Sequence, residues 1–209
     1  MFNRSAKPRW KRLGQLTVLL GLLAAVLAPL AIAGPSRTFG GCPGGTVTPF
    51  TKWGDFNLYQ LVPGGSFETK PSWTLSGGAS VVSGNETYFV NSKTDKQSLS
   101  LPAGASATTP PICVTTQSPL IRFFAVGGSS TSALNVDVIA TLPTGAVVTQ
   151  SVAKIPASTA WNPTPQLYFF ANLLAYFTGK DQAYVQFRFT PTGSAGWKID
   201  DLYLDPRKS

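Results

Sequence analysis

The feature that most constrains this chain is a period-two alternation of apolar and polar residues, interrupted at short intervals by glycine or proline. Leu134, Val136, Val138 and Ala140 fall on one side of such a stretch, and Asn135, Asp137 and Thr141 on the other. Val185, Phe187 and Phe189 oppose Tyr184, Gln186 and Arg188 in the same way. Successive strand residues point to opposite faces, so this pattern puts one face on a core and the other in solvent, as antiparallel sheets permit. The 20 glycines and 17 prolines separate short apolar runs rather than forming one linker. Further strands are predicted at 73–75, 80–82, 87–90, 97–101, 112–115 and 120–126. The apolar run 167–177 is read as a strand over 166–170 and then an irregular or helical turn through 174. Roughly nine to eleven short strands in one domain imply an all-β protein of two packed antiparallel sheets, a jelly-roll sandwich.

The N-terminus stands outside this pattern. Arg4, Lys7, Arg9, Lys11 and Arg12 form a basic head, an apolar run follows from Leu16 to Ala28, and Ala31-Ile32-Ala33 closes the segment. Small residues at the third and first positions before Gly34 mark a cleavage site. Residues 1–33 are therefore expected to be a secretory signal peptide and 34–209 the single folded domain, secreted or held at the cell envelope. An uncleaved anchor is the rival, but the run is short of the about 20 apolar residues a spanning helix needs, and Pro29 interrupts it. The whole chain has 17 basic and 9 acidic residues, a net of +8. Without the leader 12 basic residues face 9 acidic ones, a net of +3, and the basic ones are scattered. A nucleic-acid groove gathers Lys and Arg on one face, so no nucleic-acid partner is expected, and no membrane contact once the leader is removed.

Cys42 and Cys113 are the only cysteines, and export predicts one disulfide between them. Closing a loop of about 70 residues stabilises a fold by about 4 kcal/mol on the chain-entropy model. Two cysteines without a histidine cannot complete a zinc shell. The lack of histidine also excludes Ser-His-Asp and Cys-His catalysis. Ser151-Val152-Ala153-Lys154 matches Ser-x-x-Lys, but in a β-like stretch rather than at a helix start. Glu68 and Glu86 are the only glutamates, and no acids group convincingly; a two-carboxylate glycoside hydrolase is the residual enzymatic reading. No catalytic residue is assigned. Asn85-Glu86-Thr87 is a glycosylation sequon, relevant only in a eukaryotic secretory pathway.

Two stretches carry a family likeness. Gly64-Gly65-Ser66-Phe67-Glu68, followed by Trp73 and Gly77-Gly78-Ala79, resembles the opening of jelly-roll, galactose-binding-like carbohydrate-binding modules. Trp197-Lys198-Ile199-Asp200-Asp201-Leu202-Tyr203-Leu204-Asp205 resembles their closing strand. The sandwich is expected to bring the termini onto neighbouring strands, so that the 65–68 region pairs near 198–204; the resemblance implies that a structural calcium is held by Glu68 and the Asp200-Asp201 pair with backbone carbonyls. On a regular strand the two aspartates face opposite sides, so one at most meets such an ion; a bulge would exchange their roles. The metal-free reading pairs one aspartate with Arg188 or a backbone N–H. The segments 42–62 and 105–114 depart from the module pattern and resemble secreted bacterial proteins of the same type.

The resemblance also implies a polysaccharide partner, such as a cell-wall or matrix glycan. Sugar binding needs exposed aromatic faces beside polar groups, and Trp53, Trp161, Tyr168, Tyr184 and Trp197 are available, with Trp73 assigned to the core. Trp161, in Trp161-Asn162-Pro163-Thr164-Pro165, is expected in an exposed loop. Tyr184 shares a strand face with Gln186 and Arg188, and these four residues are the ligand-binding candidates. The alternative is a structural or protein-interaction domain of the cell surface with no sugar site.

Overall fold

The structure, a computed structural model, describes residues 46–115, 120–142, 144–170 and 182–205. Among the described residues a short 3-10 helix lies outside two antiparallel sheets, which are made up of thirteen strands. They are β1 (Gln60–Leu61), β2 (Thr74–Ser76), β3 (Ser80–Ser83), β4 (Gln97–Leu101), β5 (Ser106–Thr108), β6 (Ile112–Thr115) and β7 (Leu120–Gly127). There follow β8 (Ala133–Thr141), β9 (Val147–Pro156), β10 (Ser158–Pro163), β11 (Leu167–Tyr168), β12 (Gln182–Thr192) and β13 (Trp197–Asp205). The seven-stranded sheet runs β10-β7-β13-β4-β3, with β1 on β13 and β11 on β7. The six-stranded sheet runs β2-β5-β12-β8-β9, with β6 on β12. The all-β sandwich expected from the alternation is what forms.

Its core lies between the two sheets. Leu134, Val136, Val138 and Ala140 enter from β8, Val185, Phe187 and Phe189 from β12, and Ile121, Phe123 and Ala125 from β7. Trp73 is buried as expected and stacks on Phe189 at 5.8 Å between centroids, while Phe123 meets Phe189 edge-on at 5.2 Å. Each such aromatic, removed from water, contributes about 1.5–3 kcal/mol. Gly65 lies against Leu202, exchanging N–H and C=O contacts between the 62–65 turn and β13. A Cβ at Gly65 would come within 2.8 Å of the Leu202 carbonyl oxygen, so only glycine permits this pairing. The predicted approach of 65–68 to the last strand is therefore present at Gly65.

β7 is apolar on both sides, and the second side has its own core. Leu120 and Phe124 alternate with Ile121 and Phe123, and with Phe50, Tyr59 and Tyr203 they form a second buried cluster. Residues 47–59 supply its roof as a strap across the outer face of the seven-stranded sheet. An isolated bridge joins Val47 to Tyr59, and the 3-10 turn Thr51–Trp53 ends at Gly54, at φ 76°. The strap then enters the sheet as β1, paired to Leu204 and Tyr203. Asp55 fastens it. Arg122 donates to Asp55 Oδ2 at 2.6 Å and to the Thr164 carbonyl at 2.8 Å, and the Tyr59 hydroxyl donates to Asp55 Oδ2 at 2.6 Å.

Two strand assignments change. Residues 87–90 form no strand, because the Tyr88 and Val90 N–H groups turn inward onto the Glu86 carboxylate and leave nothing for a ladder. The strand predicted over 166–170 shortens to Leu167–Tyr168, and the turn predicted beyond it lies outside the described residues. The predicted leader and Cys42 also lie outside them, and Cys113 is buried on β6.

Candidate functional site

The sequence candidates separate into three places. Tyr184, Gln186 and Arg188 share the outer face of β12, opposite the core-facing Val185 and Phe187. Tyr184 is 37% exposed. The Gln186 amide donates to the Thr109 carbonyl at 2.9 Å. Arg188 lies directly across the ladder from Asp137 on β8 and donates to its Oδ2 through Nη2 at 2.8 Å and Nε at 3.3 Å. Of the two metal-free partners expected for a β13 aspartate, Arg188 is corrected, since its own partner is Asp137, which the register between β8 and β12 places beside it, while backbone N–H groups do bond to Asp200 and Asp201. Thr108 of β5 and Ser151 of β9 continue this row across the sheet, through Arg188 and Asp137. Among the described residues the result is a face, several strands wide, on which Tyr184 and Ile139 sit beside polar groups and a fixed ion pair.

Trp161 is not part of it. It lies on β10 in the other sheet, half-buried against the second aromatic cluster, and its carbonyl accepts from the Tyr88 hydroxyl at 3.3 Å. The expected exposed loop becomes an edge strand because Asn162 and Pro163 take register with Ala125 and Phe124. Trp197, 2% exposed, belongs to the main core and offers no ring to a ligand.

The third place is a group of carboxylates about β13 and the loop 84–97. Trp197 and Ile199 face the main core, and so do Leu202 and Leu204, although their parity is opposite. An irregularity between Asp200 and Tyr203 reconciles them, with Asp201 at φ 46°. The bulge turns both aspartates inward, where each is 0% exposed. Asp200 accepts N–H bonds from Glu86 at 2.9 Å and Asp201 at 2.9 Å. Asp201 Oδ2 accepts from the Asn91 N–H at 3.2 Å, while its Oδ1 is buried with no partner. Glu68 Oε1 accepts from the Lys96 and Gln97 N–H groups, each at 2.7 Å, and Asp95 accepts from the Asn91 amide at 2.7 Å. Glu86, also fully buried, holds the N–H groups of its own loop.

These acids raise one another's proton affinity. Burial, then the Asp201 charge, pushes Asp200 up to about 9, with its N–H bonds opposing. Burial and the charges of Glu86, Asp95 and Glu68 push Asp201 up to about 7. Glu86 is raised as well, mainly by burial. The ion pairs among the described residues are Asp55–Arg122 and Asp137–Arg188, so neither offsets this charge.

A hard cation fits the donor chemistry: every candidate ligand is oxygen, no ion pair among the described residues reaches the group, and Asp201 Oδ1 is a buried acceptor with no donor. Among the described residues, however, no three side chains form a ready-made cage, so backbone carbonyls would have to complete it. The grouping of Glu86 and Asp95 with the β13 aspartates escaped the sequence reading because they sit in a loop, where no periodicity marks which way a side chain turns. Glu86, Asp200 and Asp201 have no exposed surface and cannot reach a glycosidic bond, whereas Glu68 is half-exposed.

No family model matches the chain, and no relative is found among curated proteins. Several solved structures are similar to it. The enzymatically active domain of tailspike protein 4 from bacteriophage CBA120 is 22% identical over 69% of this chain, with a TM-score of 0.48, and the match covers 21% of that domain. The CBM22-1 xylan-binding domain of Paenibacillus barcinonensis Xyn10C is 16% identical over 69% of this chain and 93% of its own, with a TM-score of 0.47. The carbohydrate-binding module TmCBM61, solved with β-1,4-galactotriose, is 12% identical over 69% of this chain and 96% of its own, with a TM-score of 0.43.

Proposed function

We propose that this chain is an exported, non-catalytic β-sandwich that binds polysaccharide on the outer face of its six-stranded sheet. One observation carries the reading: the exposed Tyr184 ring shares that face with Gln186 and Arg188, polar groups already held in place by Thr109 and Asp137. A sugar ring offers apolar C–H faces and a hydroxyl edge, which match an aromatic platform flanked by fixed donors and acceptors. Holding those groups beforehand lowers the ordering cost of binding. The module resemblance of residues 64–79 and 197–205 points to the same ligand class.

The reading includes cleavage of the 1–33 leader and a Cys42–Cys113 disulfide. It also includes calcium held by Asp201 through Oδ1, with Glu68, Asp200 and carbonyls completing the shell. Calcium would supply charge neutralisation there, tying the 84–97 loop to β13.

Isothermal titration of the exported protein with soluble neutral glucan, xylan and galactan tests the central claim. Binding to at least one is expected, and Tyr184→Ala should weaken it roughly two- to tenfold, the worth of one aromatic contact. Equal binding by the variant would remove Tyr184 from the site. No binding by the native protein to any of the three would favour the structural or protein-interaction alternative.

A further inference from the structure

The strap that roofs the second aromatic cluster also builds a depression that the β12 face does not use. Its volume is about 460 Å³, and Trp53, Asp55, Phe56, Asn57, Arg122 and Gln166 line it. That is within the span of about 300–1,000 Å³ typical of small-ligand sites.

Its floor is rigid. Asp55 and Arg122 are 8% and 7% exposed, and their 2.6 Å ion pair is fixed from several sides. The Asn57 N–H donates to Asp55 Oδ1 at 3.1 Å, and the Tyr59 hydroxyl donates to Oδ2. The guanidinium lies 4.3 Å from the centre of the Phe50 ring. Its rim is aromatic. Phe56 is 74% exposed, a large apolar surface left in water. Tyr168, 57% exposed, donates its hydroxyl to Gln166 Oε1 at 2.8 Å, which fixes the rim to the lining amide. Trp53 is half-buried, pinned edge-on to Tyr88 at 5.0 Å and to Phe124 at 5.4 Å.

We infer that this depression is a second binding site, and that it takes a single neutral sugar unit, either free or at the end of a chain. An apolar ligand would strip water from the Asp55–Arg122 floor without replacing its hydrogen bonds. An anionic ligand meets no unspent cation in the lining itself, because the Arg122 charge is already balanced by Asp55 and a neighbouring cation, Lys52, is exposed and lies over the Trp53 ring. A neutral polyol satisfies both demands: its C–H faces cover Phe56 and Trp53, and its hydroxyls reach Asn57, Gln166 and the ion pair. A depression of this volume suits one ring, where the β12 face, several strands wide, suits the length of a chain. The site is made by residues 53–57, in the segment that departs from the module pattern, and it is independent of Tyr184.

The test is nitrogen-resolved NMR of the full exported chain titrated with galactose, xylose and glucose, and with their β-1,4-linked trisaccharides. The side-chain amide signals of Asn57 and Gln166 and the Nε–H of Arg122 report directly on the depression. At least one neutral sugar should shift them, and Phe56→Ala should weaken that response roughly two- to tenfold. Phe56 is exposed, so the variant keeps its fold. The response should persist in Tyr184→Ala, which separates this site from the β12 face. Three outcomes would overturn the inference: no shift at these signals with any neutral sugar, a stronger response to galacturonic acid or adenosine, or loss of the response in Tyr184→Ala.

Discussion

Replacing Asp55 with alanine asks whether one carboxylate holds the strap to the seven-stranded sheet. The substitution leaves Arg122, 7% exposed, with the Thr164 carbonyl at 2.8 Å and no counter-charge, and it leaves the Tyr59 hydroxyl without its acceptor. Breaking one side of a buried ion pair costs about 3–5 kcal/mol. For a domain of this size that lowers the melting temperature by roughly 6–20 °C. Asp55→Ala with Arg122→Met removes the stranded charge and should recover a large part of the loss, in chemical denaturation as in melting. An acid-side arm follows from the same bonds. Burial acts to raise the Asp55 pKa, but bonds from Tyr59, Arg122, Asn57 and Gln166 outweigh it and the net shift is down. A carboxylate depressed on folding stabilises above its ordinary range, and that contribution is lost as pH falls through the folded value. Asp55→Ala should therefore show a shallower loss of stability in acid than the native chain. A loss below about 1 kcal/mol, with no recovery in the double variant, would refute the claim that this pair fastens the strap.

Two further predictions concern the carboxylates and the cysteines. With divalent cations chelated, the melting temperature should be higher at about pH 5 than at about pH 8. Asp200 and Asp201 are raised from 3.8 to about 9 and about 7, so their protonated contribution is full below the ordinary value and fades through that window. Saturating calcium should flatten the difference; equal melting at both pH values in chelator would mean the acids are neutralised by something else. Non-reducing peptide mapping of the exported protein should recover one peptide pair joined through Cys42 and Cys113, and two free thiols would exclude the disulfide.

The architecture was legible wherever one strand face is wet. On β8 and β12 the alternation marks the core side residue by residue, because burial on a single face imposes a period of two. β7 reads instead as an apolar run broken only by Arg122, which is what a strand covered on both sides requires; the run shows that a second cover exists but not which segment supplies it. The β13 bulge had a trace in sequence, since Trp197 and Ile199 cannot share a core with Leu202 and Leu204 unless a residue is inserted between them. Periodicity made candidate site residues legible only where they sat on a regular strand; Glu68, Asp200 and Asp201 were named through the family resemblance instead. Tyr184, Gln186 and Arg188 share a face as the period demands, but the Asp137 partner needed the register between two strands, which local pattern does not contain. Trp161 was misplaced for the same reason: its Pro-rich surroundings signal a loop, and only pairing with β7 makes the segment an edge strand.

The strap is where local reading failed most, and it has the largest consequence for function. Its sequence has neither helical nor strand periodicity, because side chains on a turn and a 3-10 helix are directed by what they land on. Phe50 lands on Phe124 and Tyr203 at ring separations of 5.7 and 5.6 Å, Tyr59 packs against Phe50 at 5.0 Å, and together they close the outer face of the seven-stranded sheet. Aromatic residues that would otherwise be open to solvent, Phe124 and Tyr203 among them, become core. Of the two outer faces of the sandwich, the one without this roof carries Tyr184. The strap adds its own alternative at the edge, where Trp53 and Phe56 flank the Asp55–Arg122 pair that fastens it. One carboxylate thus anchors the segment and shapes the floor of the depression, so a substitution at Asp55 should weaken the fold and remove the site together, whereas Phe56→Ala removes binding surface alone.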